Sequence, residues 1–164
     1  MQQLTATPFA PWFLDRIRRA SKIVAMTHVG PDADGLGSQV AFALAARAAG
    51  KDVRIVNEDP CPRRYGWIDP KGLVQSFDDA AVALDGANLG LIFDAHEIGR
   101  ARRPAEALQA AGVDVWVLDH HAVAPETVVT GCVATDFSST GELCFRLLEA
   151  LGWALDADAA LGVY

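Results

Sequence analysis

Two kinds of segment alternate along the chain. Short apolar runs rich in β-branched residues are typical of buried strands, and longer stretches with apolar residues three and four positions apart are typical of helices. The first pattern predicts strands at 22–27, 53–57, 89–93, 113–118 and 128–134. The second predicts helices at 11–20, 36–49, 104–111 and 140–151, and residues 58–72 are predicted to form a structured loop.

The predicted strands are nearly continuous apolar runs, which favours a sheet covered by helices on both faces. Because strands alternate with helices, the sheet is predicted to be mainly parallel. Gly50, Gly112 and Gly152 follow three predicted helices, where C-terminal caps belong, and Ser139 or Thr140 can cap the start of the last one. The predicted fold is a doubly wound, Rossmann-like α/β domain.

Acidic and imidazole side chains follow three of the predicted strands. They are His28, Asp32 and Asp34 after the first strand, Asp94 after the third, and Asp119, His120 and His121 at the end of the fourth. Ligands of open parallel sheets bind beyond the carboxyl ends of the strands, so these side chains are predicted to share one edge. Each signal alone has a simpler explanation in turn chemistry. The functional interpretation depends on their common position.

So many carboxylates at one edge would disfavour each other's ionisation without bound cations. Oxygen and imidazole ligands without a thiolate favour Mn²⁺ or Mg²⁺, with Zn²⁺, Co²⁺ and Fe²⁺ as alternatives. The number of ligands predicts two divalent ions. Two ions can hold a phosphoryl group and activate water for in-line displacement, which predicts phosphoester hydrolysis.

The composition and charge limit the remaining choices. The chain has 164 residues, of which 51% are hydrophobic, and a net charge of -7. No apolar stretch approaches the ~20 residues that cross a bilayer, and no secretory signal is recognisable at the N-terminus. These features predict a cytoplasmic protein without membrane association, and leave open whether it forms a homodimer. The negative charge argues against a broad nucleic-acid surface.

Candidate substrate contacts lie near the predicted edge. Arg100, six residues after Asp94, is the strongest candidate for a phosphate contact. Gly37 and Ser38 open the second helix, where backbone N–H groups can receive phosphate. Tight turning and close packing explain the glycine equally well. Trp67 could stack on a base, but core packing is the favoured role.

The motifs resemble those of the DHH phosphoesterase superfamily, which includes RecJ nucleases, family II pyrophosphatases, cyclic-dinucleotide phosphodiesterases and NrnA-type oligoribonuclease/pAp phosphatases. The family's first motif, H-x-x-P-D-x-D-x-x-G-S, is met between His28 and Ser38. The second is met by Asp94 with Arg100, and the third by residues 119–121. The run S-S-T-G-E at 138–142 resembles the helix start of the NrnA-like branch.

The resemblance implies a role for each metal ligand. His28 and Asp32 would hold one ion, Asp34 and His120 would hold the other, and Asp94 would bridge them. Mn²⁺ is the implied ion, with Mg²⁺ and Co²⁺ as alternatives.

Two catalytic residues are also implied by the resemblance. His121 would contact the scissile phosphate and assist proton transfer, and Asp119 would orient the histidines. The family's fourth motif, with a further Asp ligand, and its second, substrate-binding domain have no counterpart in the sequence. Residues 1–164 are therefore expected to be an N-terminal DHH domain that is incomplete at its C-terminal end, with weak or no turnover by itself.

The predicted function is a two-metal phosphoesterase that hydrolyses short single-stranded oligonucleotides or small phosphorylated nucleotides, as a 3′–5′ exonuclease of the oligoribonuclease/pAp phosphatase type. Alternatives are a pyrophosphatase or polyphosphatase, a cyclic-dinucleotide phosphodiesterase, and a non-catalytic metal- or ligand-binding module. A dinucleotide-binding Rossmann domain is disfavoured because the first turn has acids where G-x-G-x-x-G would bind pyrophosphate.

Overall fold

The computed structural model describes residues 7–80 and 84–163. Within them, strands form at β1 Lys22–Thr27, β2 Asp52–Asn57, β3 Val74–Ser76, β4 Leu89–Phe93, β5 Val115–Asp119 and β6 Gly131–Val133. The α-helices are α1 Pro11–Arg19, α2 Ala33–Ala48, α3 Phe77–Ala80, α4 Arg103–Ala110, α5 Thr140–Leu151 and α6 Ala157–Val163. Short 3₁₀ helices form at Arg63–Tyr65 and Ile98–Ala101.

The strands form one parallel sheet in the order β3-β2-β1-β4-β5-β6. The chain builds outward from β1 in one direction and then from β4 in the other, so the topological switch point lies between these two central strands. Thr27 pairs with Phe93, and Phe93 pairs with Leu118. The residues that follow these three positions therefore emerge side by side at the carboxyl edge, where a doubly wound sheet binds ligands.

Apolar clusters cover both faces of the sheet. Alternate residues of β1 divide between them, with Ile23 and Ala25 in one cluster and Val24 and Met26 in the other. The first cluster includes buried side chains of α1, α2 and α5, and the second includes side chains of α4. This confirms the predicted α/β fold with helices on both faces, and the sheet in the described residues is parallel throughout.

The predicted element ends agree with the structure within a few residues. The strands at 22–27 and 89–93 and the helix at 140–151 are confirmed without change. The predicted strand at 128–134 is shorter, since Val128 is almost fully exposed and pairing begins at Gly131. The sequence pattern did not reveal β3, α3 or α6.

Helix α6 packs unusually closely against α2. A Cβ atom placed on Gly37 would clash with the carbonyl oxygen of Gly162, and one placed on Gly162 would clash with the carbonyl oxygen of Gly37. The two helix backbones therefore touch where both residues lack a side chain. In the described part of the chain, no helix is both long and apolar enough to cross a bilayer.

Candidate metal centre

Asp94 lies at the centre of the carboxyl edge. Its amide donates to the carbonyl of Leu118 over 3.0 Å, which continues the β4–β5 ladder by one residue. The backbone then turns sharply, because Asp94 has a φ of 62°. This left-handed conformation is uncommon for residues other than glycine, although Asp and Asn tolerate it best. Its carboxylate is only 2% exposed and accepts a hydrogen bond from the Thr140 hydroxyl over 2.9 Å.

Three imidazoles surround the Asp94 carboxylate. The Nε2 atom of His28 is 3.6 Å from one oxygen, and Nε2 of His120 and Nδ1 of His121 are 3.9 and 3.6 Å from the other. These separations exceed the roughly 2.7–3.2 Å of a good hydrogen bond. Two ligand atoms that each lie about 2.1 Å from one cation are about 3–4 Å apart, so the spacing of His28 and His120 suits a shared ion. Nδ1 of His121 instead donates to Asp119.

The ring orientations of two histidines leave the correct nitrogen free for a metal. Nδ1 of His28 is 2.8 Å from the carbonyl oxygen of Val29, and Nδ1 of His120 is 3.2 Å from that of Phe137. A carbonyl can only accept, so in each ring Nδ1 carries the proton. The Nε2 lone pair of each ring then faces the carboxylates, which is the orientation that outer hydrogen bonds impose on metal-binding histidines.

Asp32 begins helix α2 and remains partly open to solvent. One of its oxygens accepts hydrogen bonds from the amides of Asp34 and Gly35, both over 3.1 Å, as an N-cap. The side chain is 51% exposed, and the capping oxygen is 4.0 Å from Nε2 of His28. A carboxylate with one capping oxygen still has its second oxygen available for a cation.

Asp34 joins α2 to the start of α5. Its two oxygens accept hydrogen bonds from the amides of Thr140 and Gly141 over 2.9 and 2.7 Å, and one oxygen is 3.6 Å from Nε2 of His120. Burial raises the pKa of Asp34, the amide donor of Thr140 opposes this, and the nearby charge of Asp94 adds to the rise. A cation between these groups would relieve that repulsion.

Asp119 is fully buried and contacts only protein donors among the described residues. One oxygen accepts hydrogen bonds from the amides of His120 and His121 and from Nδ1 of His121, over 2.8, 3.2 and 2.7 Å. The other accepts from Nδ1 of His96 over 2.8 Å. Burial by itself would raise the pKa of Asp119, but the hydrogen bonds from His121 and His96 outweigh it and lower the pKa. The carboxylate thus orients two imidazoles.

Within residues 7–80 and 84–163, two overlapping groups of ligand atoms can hold cations. Within each group, the candidate ligand atoms lie within 4.8 Å of one another: His28, Asp32 and Asp94 in one, and Asp94, His120 and His121 in the other. The structure therefore brings all five predicted metal ligands to one edge, with Asp94 common to both groups. Asp34 lies beside His120 rather than inside the second tight group, and His121 lies closer to Asp94 than its implied role in binding phosphate requires.

The predicted substrate residues divide into one exposed and two buried positions. Arg100 is exposed beside the site, where its carbonyl accepts from the amide of Val29 over 2.9 Å. The nearby carboxylate of Asp94 raises the pKa of His28, while the charge of Arg100 acts in the opposite direction. Gly37 and Ser38 are buried within α2. Gly37 packs on α6, so the alternative of close packing accounts for it.

Sequence reasoning missed two residues that contact the site. Thr140 was considered only as a helix cap, but it donates to both Asp94 and Asp34. His96 reaches Asp119, although no motif drew attention to it. The available signal was its position two residues beyond a strand-end Asp. The favoured core role of Trp67 was wrong, because this side chain is 57% exposed.

The chain is also similar to known proteins. One solved structure, an exopolyphosphatase-related protein from Bacteroides fragilis, matches with a TM-score of 0.82 and 23% sequence identity. The match covers 94% of this chain and 48% of that chain, so the present chain spans about half the length of that neighbour. No curated protein matches.

The family model gives the more specific result. The model of the DHH family, N-terminal domain, matches residues 22–162, which extend from β1 through nearly the whole of α6. The matched segment contains every candidate ligand at the carboxyl edge. Members of this family are phosphoesterase hydrolases that bind divalent metals. The chain belongs to the DHH family.

Proposed function

We propose that the chain is the metal-binding part of a phosphoesterase that hydrolyses short oligonucleotides or nucleotide bisphosphates with two divalent cations. The observation that carries this proposal is the buried carboxylate of Asp94, which faces His28 on one side and His120 and His121 on the other at 3.6–3.9 Å. A carboxylate that is 2% exposed needs charge compensation. A pair of cations supplies it.

The proposed ligands are those that the resemblance implies, and two of them, His28 and His120, face Asp94. His28 and Asp32 would hold one ion, Asp34 and His120 would hold the other, and Asp94 would contact both. Oxygen and imidazole donors suit Mn²⁺ best in this setting, with Mg²⁺ and Co²⁺ as alternatives. Such ions neutralise phosphoryl charge and lower the pKa of water.

His121 is the proposed residue for contact with the scissile phosphate. Its ring is 52% exposed, whereas the Asp119 carboxylate that holds its Nδ1 atom is fully buried. That hydrogen bond raises the pKa of His121 and favours the protonated ring. The protonated ring can bind a phosphate oxygen and supply a proton at Nε2 to the leaving oxygen.

Arg100 is the proposed second contact for the phosphate. It is exposed and lies after Asp94 on the 3₁₀ helix Ile98–Ala101. Its charge acts to lower the pKa of His28. A guanidinium can bind two phosphate oxygens at once. Gly37 and Ser38 are left out of the proposed substrate site, because both are buried in α2.

The choice of substrate rests on resemblance and charge. The S-S-T-G-E run of the NrnA-like branch lies at 138–142, where Thr140 and Gly141 bind Asp34. A net charge of -7 favours small substrates that bind through cations over long nucleic acids. Polyphosphate is the competing substrate, since the solved neighbour is an exopolyphosphatase-related protein.

Calorimetry and a substrate panel test the proposal. Titration of the metal-free chain with MnCl₂ should show binding that Asp94→Asn removes, with Glu97→Gln as a control on the same loop. The panel contains pAp, a dinucleotide, pyrophosphate, polyphosphate and a cyclic dinucleotide, and the first two should be hydrolysed fastest. Absence of Mn²⁺ binding would leave the non-catalytic module as the better description. Faster hydrolysis of polyphosphate would move the chain to that branch of the superfamily.

A further inference from the structure

His96 makes a specific contact that none of the proposed roles uses. The chain has four histidines, and the other three face Asp94. His96 instead places Nδ1 2.8 Å from an oxygen of Asp119, and its side chain is 19% exposed. This is a short contact between a largely buried ring and a fully buried carboxylate.

The fold explains how His96 reaches Asp119. Phe93 of β4 pairs with Leu118 of β5, so Asp94 and Asp119 leave adjacent strands at the same height. The left-handed turn at Asp94 redirects the backbone immediately after the strand. Two residues later, the ring of His96 lies against the end of β5.

The two oxygens of Asp119 have different partners. Oδ1 accepts from the amides of His120 and His121 and from Nδ1 of His121. Oδ2 accepts only from Nδ1 of His96 among the described residues. Without His96, Oδ2 would lose this bond and the donors to Oδ1 alone would oppose rotation of the carboxylate about its Cβ–Cγ bond. Such a rotation would move Oδ1 relative to the His121 ring.

Among the residues that the structure describes, the other ring nitrogen of His96 has no comparable partner. Its Nε2 atom is 4.0 Å from an oxygen of Glu97, whose side chain is 66% exposed. That distance is too long for a hydrogen bond. The contact with Asp119 is therefore the one that fixes the ring.

We propose that His96 is a positioning residue, which donates its Nδ1–H to Oδ2 of Asp119 and thereby fixes the orientation of the His121 ring. The step is a hydrogen bond and involves no covalent change. His96 contacts neither the proposed ions nor the phosphate in this role. The inference rests on the proposed function only for the consequence that a displaced His121 slows hydrolysis.

Two substitutions separate the donor from the ring. His96→Leu removes the donor and keeps an apolar side chain in a largely buried site. His96→Asn keeps an N–H donor close to the position of Nδ1 but has no second ring nitrogen. Glu97→Gln is the matched control, since it removes the charge of a group beside Nε2 and leaves Asp119 untouched. Circular dichroism and a thermal melt show that each variant is folded.

Nuclear magnetic resonance tests the proposal without turnover. The sample is metal-free protein, prepared with a chelator and labelled with ¹⁵N-histidine. In it, the Nδ1–H proton of His121 should give a downfield signal that reports its hydrogen bond to Asp119. We expect His96→Leu to shift or broaden this signal, and His96→Asn and Glu97→Gln to retain it. An unchanged signal in folded His96→Leu would overturn the proposal, as would a signal lost equally in the Leu and Asn variants.

Hydrolysis of bis(p-nitrophenyl) phosphate with Mn²⁺ gives the second readout. Loss of a residue that orients another one typically costs about 10–100-fold, so kcat of His96→Leu should fall by that factor with little change in KM. His96→Asn should recover most of kcat. Equal losses in both variants would show that the ring acts by some means other than its Nδ1 donor. If the wild type binds no Mn²⁺ but the His121 signal depends on His96, the proposed function fails and the positioning role stands.

Discussion

The two halves of the metal centre use the same residue type in different environments. The β1 half, His28 to Asp34, presents Asp32 with a side chain that is 51% exposed. The β4–β5 half, Asp94 with residues 119–121, presents Asp94 at 2% exposure and Asp119 at 0%. Both halves follow the ends of central parallel strands. The carboxylates of Asp94 and Asp119 in the second half are buried, whereas that of Asp32 in the first half is exposed.

This difference shows where cations matter most for the fold. A buried carboxylate loses its hydration and needs hydrogen bonds or a cation in return. Asp119 obtains hydrogen bonds from protein groups to both oxygens. In the described part of the chain, Asp94 obtains one from Thr140 and faces imidazoles at 3.6–3.9 Å. Asp32 caps a helix in partial contact with water. We therefore expect the stability of the fold to depend most on bound metal at Asp94, most on hydrogen bonds at Asp119, and least on either at Asp32.

Asp94→Asn should have the largest effect, on metal binding. Asn tolerates the left-handed backbone at this position and can still accept from Thr140, so the fold should persist. Mn²⁺ at 100 times its dissociation constant should raise the free energy of unfolding of the wild type by about 2.7 kcal/mol. The variant should not show this increase. We expect Mn²⁺ affinity to fall by more than the roughly 100-fold seen for outer partners of a metal site.

Chemical unfolding with Mn²⁺ and with chelator measures both effects for Asp94→Asn. In chelator, the variant should be at least as stable as the wild type, because it removes a negative charge beside Asp34. A variant that Mn²⁺ still stabilises as strongly as the wild type would refute the central place of Asp94. A large loss of stability in chelator would show that Asp94 acts mainly in folding.

Asp119→Ala should have the next largest effect, and on stability rather than on metal alone. The substitution leaves four donor groups from His96, His120 and His121 without their acceptor. Unsatisfied buried donors cost about 1–3 kcal/mol, so we expect a loss of about 2–3 kcal/mol in chelated protein. Urea unfolding measures it. Asp32→Ala is the matched control, with a loss of about 1 kcal/mol for a missing N-cap. Equal losses at the two positions would remove the distinction between the halves.

Gly37→Ala tests the close packing of α2 against α6. Helix α2 belongs to the β1 half of the metal centre. The added methyl group would clash with the carbonyl oxygen of Gly162. Overpacking costs about 1–3 kcal/mol, and we expect about 1–2 kcal/mol with a lower Tm, measured by thermal unfolding. Gly99→Ala is the control, since a Cβ atom at Gly99 meets no neighbour within 4 Å. Unchanged stability with weaker phosphate binding would restore Gly37 to the substrate site.

The sequence was sufficient to predict that the site residues share one edge. Each candidate ligand follows a strongly apolar run, and parallel strands place such positions together whatever the details of packing. The same runs predict β1, β2, β4 and β5. Strand β3 was not predicted, because Val74–Ser76 is an edge strand of three residues, which is too short to show a periodic pattern.

Features that depend on tertiary contacts could not be predicted. The burial of Gly37 depends on α6, whose seven residues give a weak helical pattern. The contact of His96 with Asp119 depends on the left-handed turn at Asp94. No local sequence motif predicts this turn. Trp67 was assigned to the core by residue type, but its side chain is 57% exposed.

Asp32→Asn should have the smallest effect on stability and gives the cleanest separation of folding from metal binding. Asn and Asp are nearly equivalent N-caps, so the hydrogen bonds to the amides of Asp34 and Gly35 should persist. The free energy of unfolding in chelator should then change by no more than a few tenths of a kcal/mol. Mn²⁺ affinity should still fall, because a neutral amide replaces a charged ligand. Urea unfolding and calorimetry on one preparation measure the two quantities. An Asn variant that lost stability as Asp32→Ala does would mean that the charge at the start of α2, rather than the capping geometry, supports the β1 half, and the exposed and buried halves would then depend on charge in the same way.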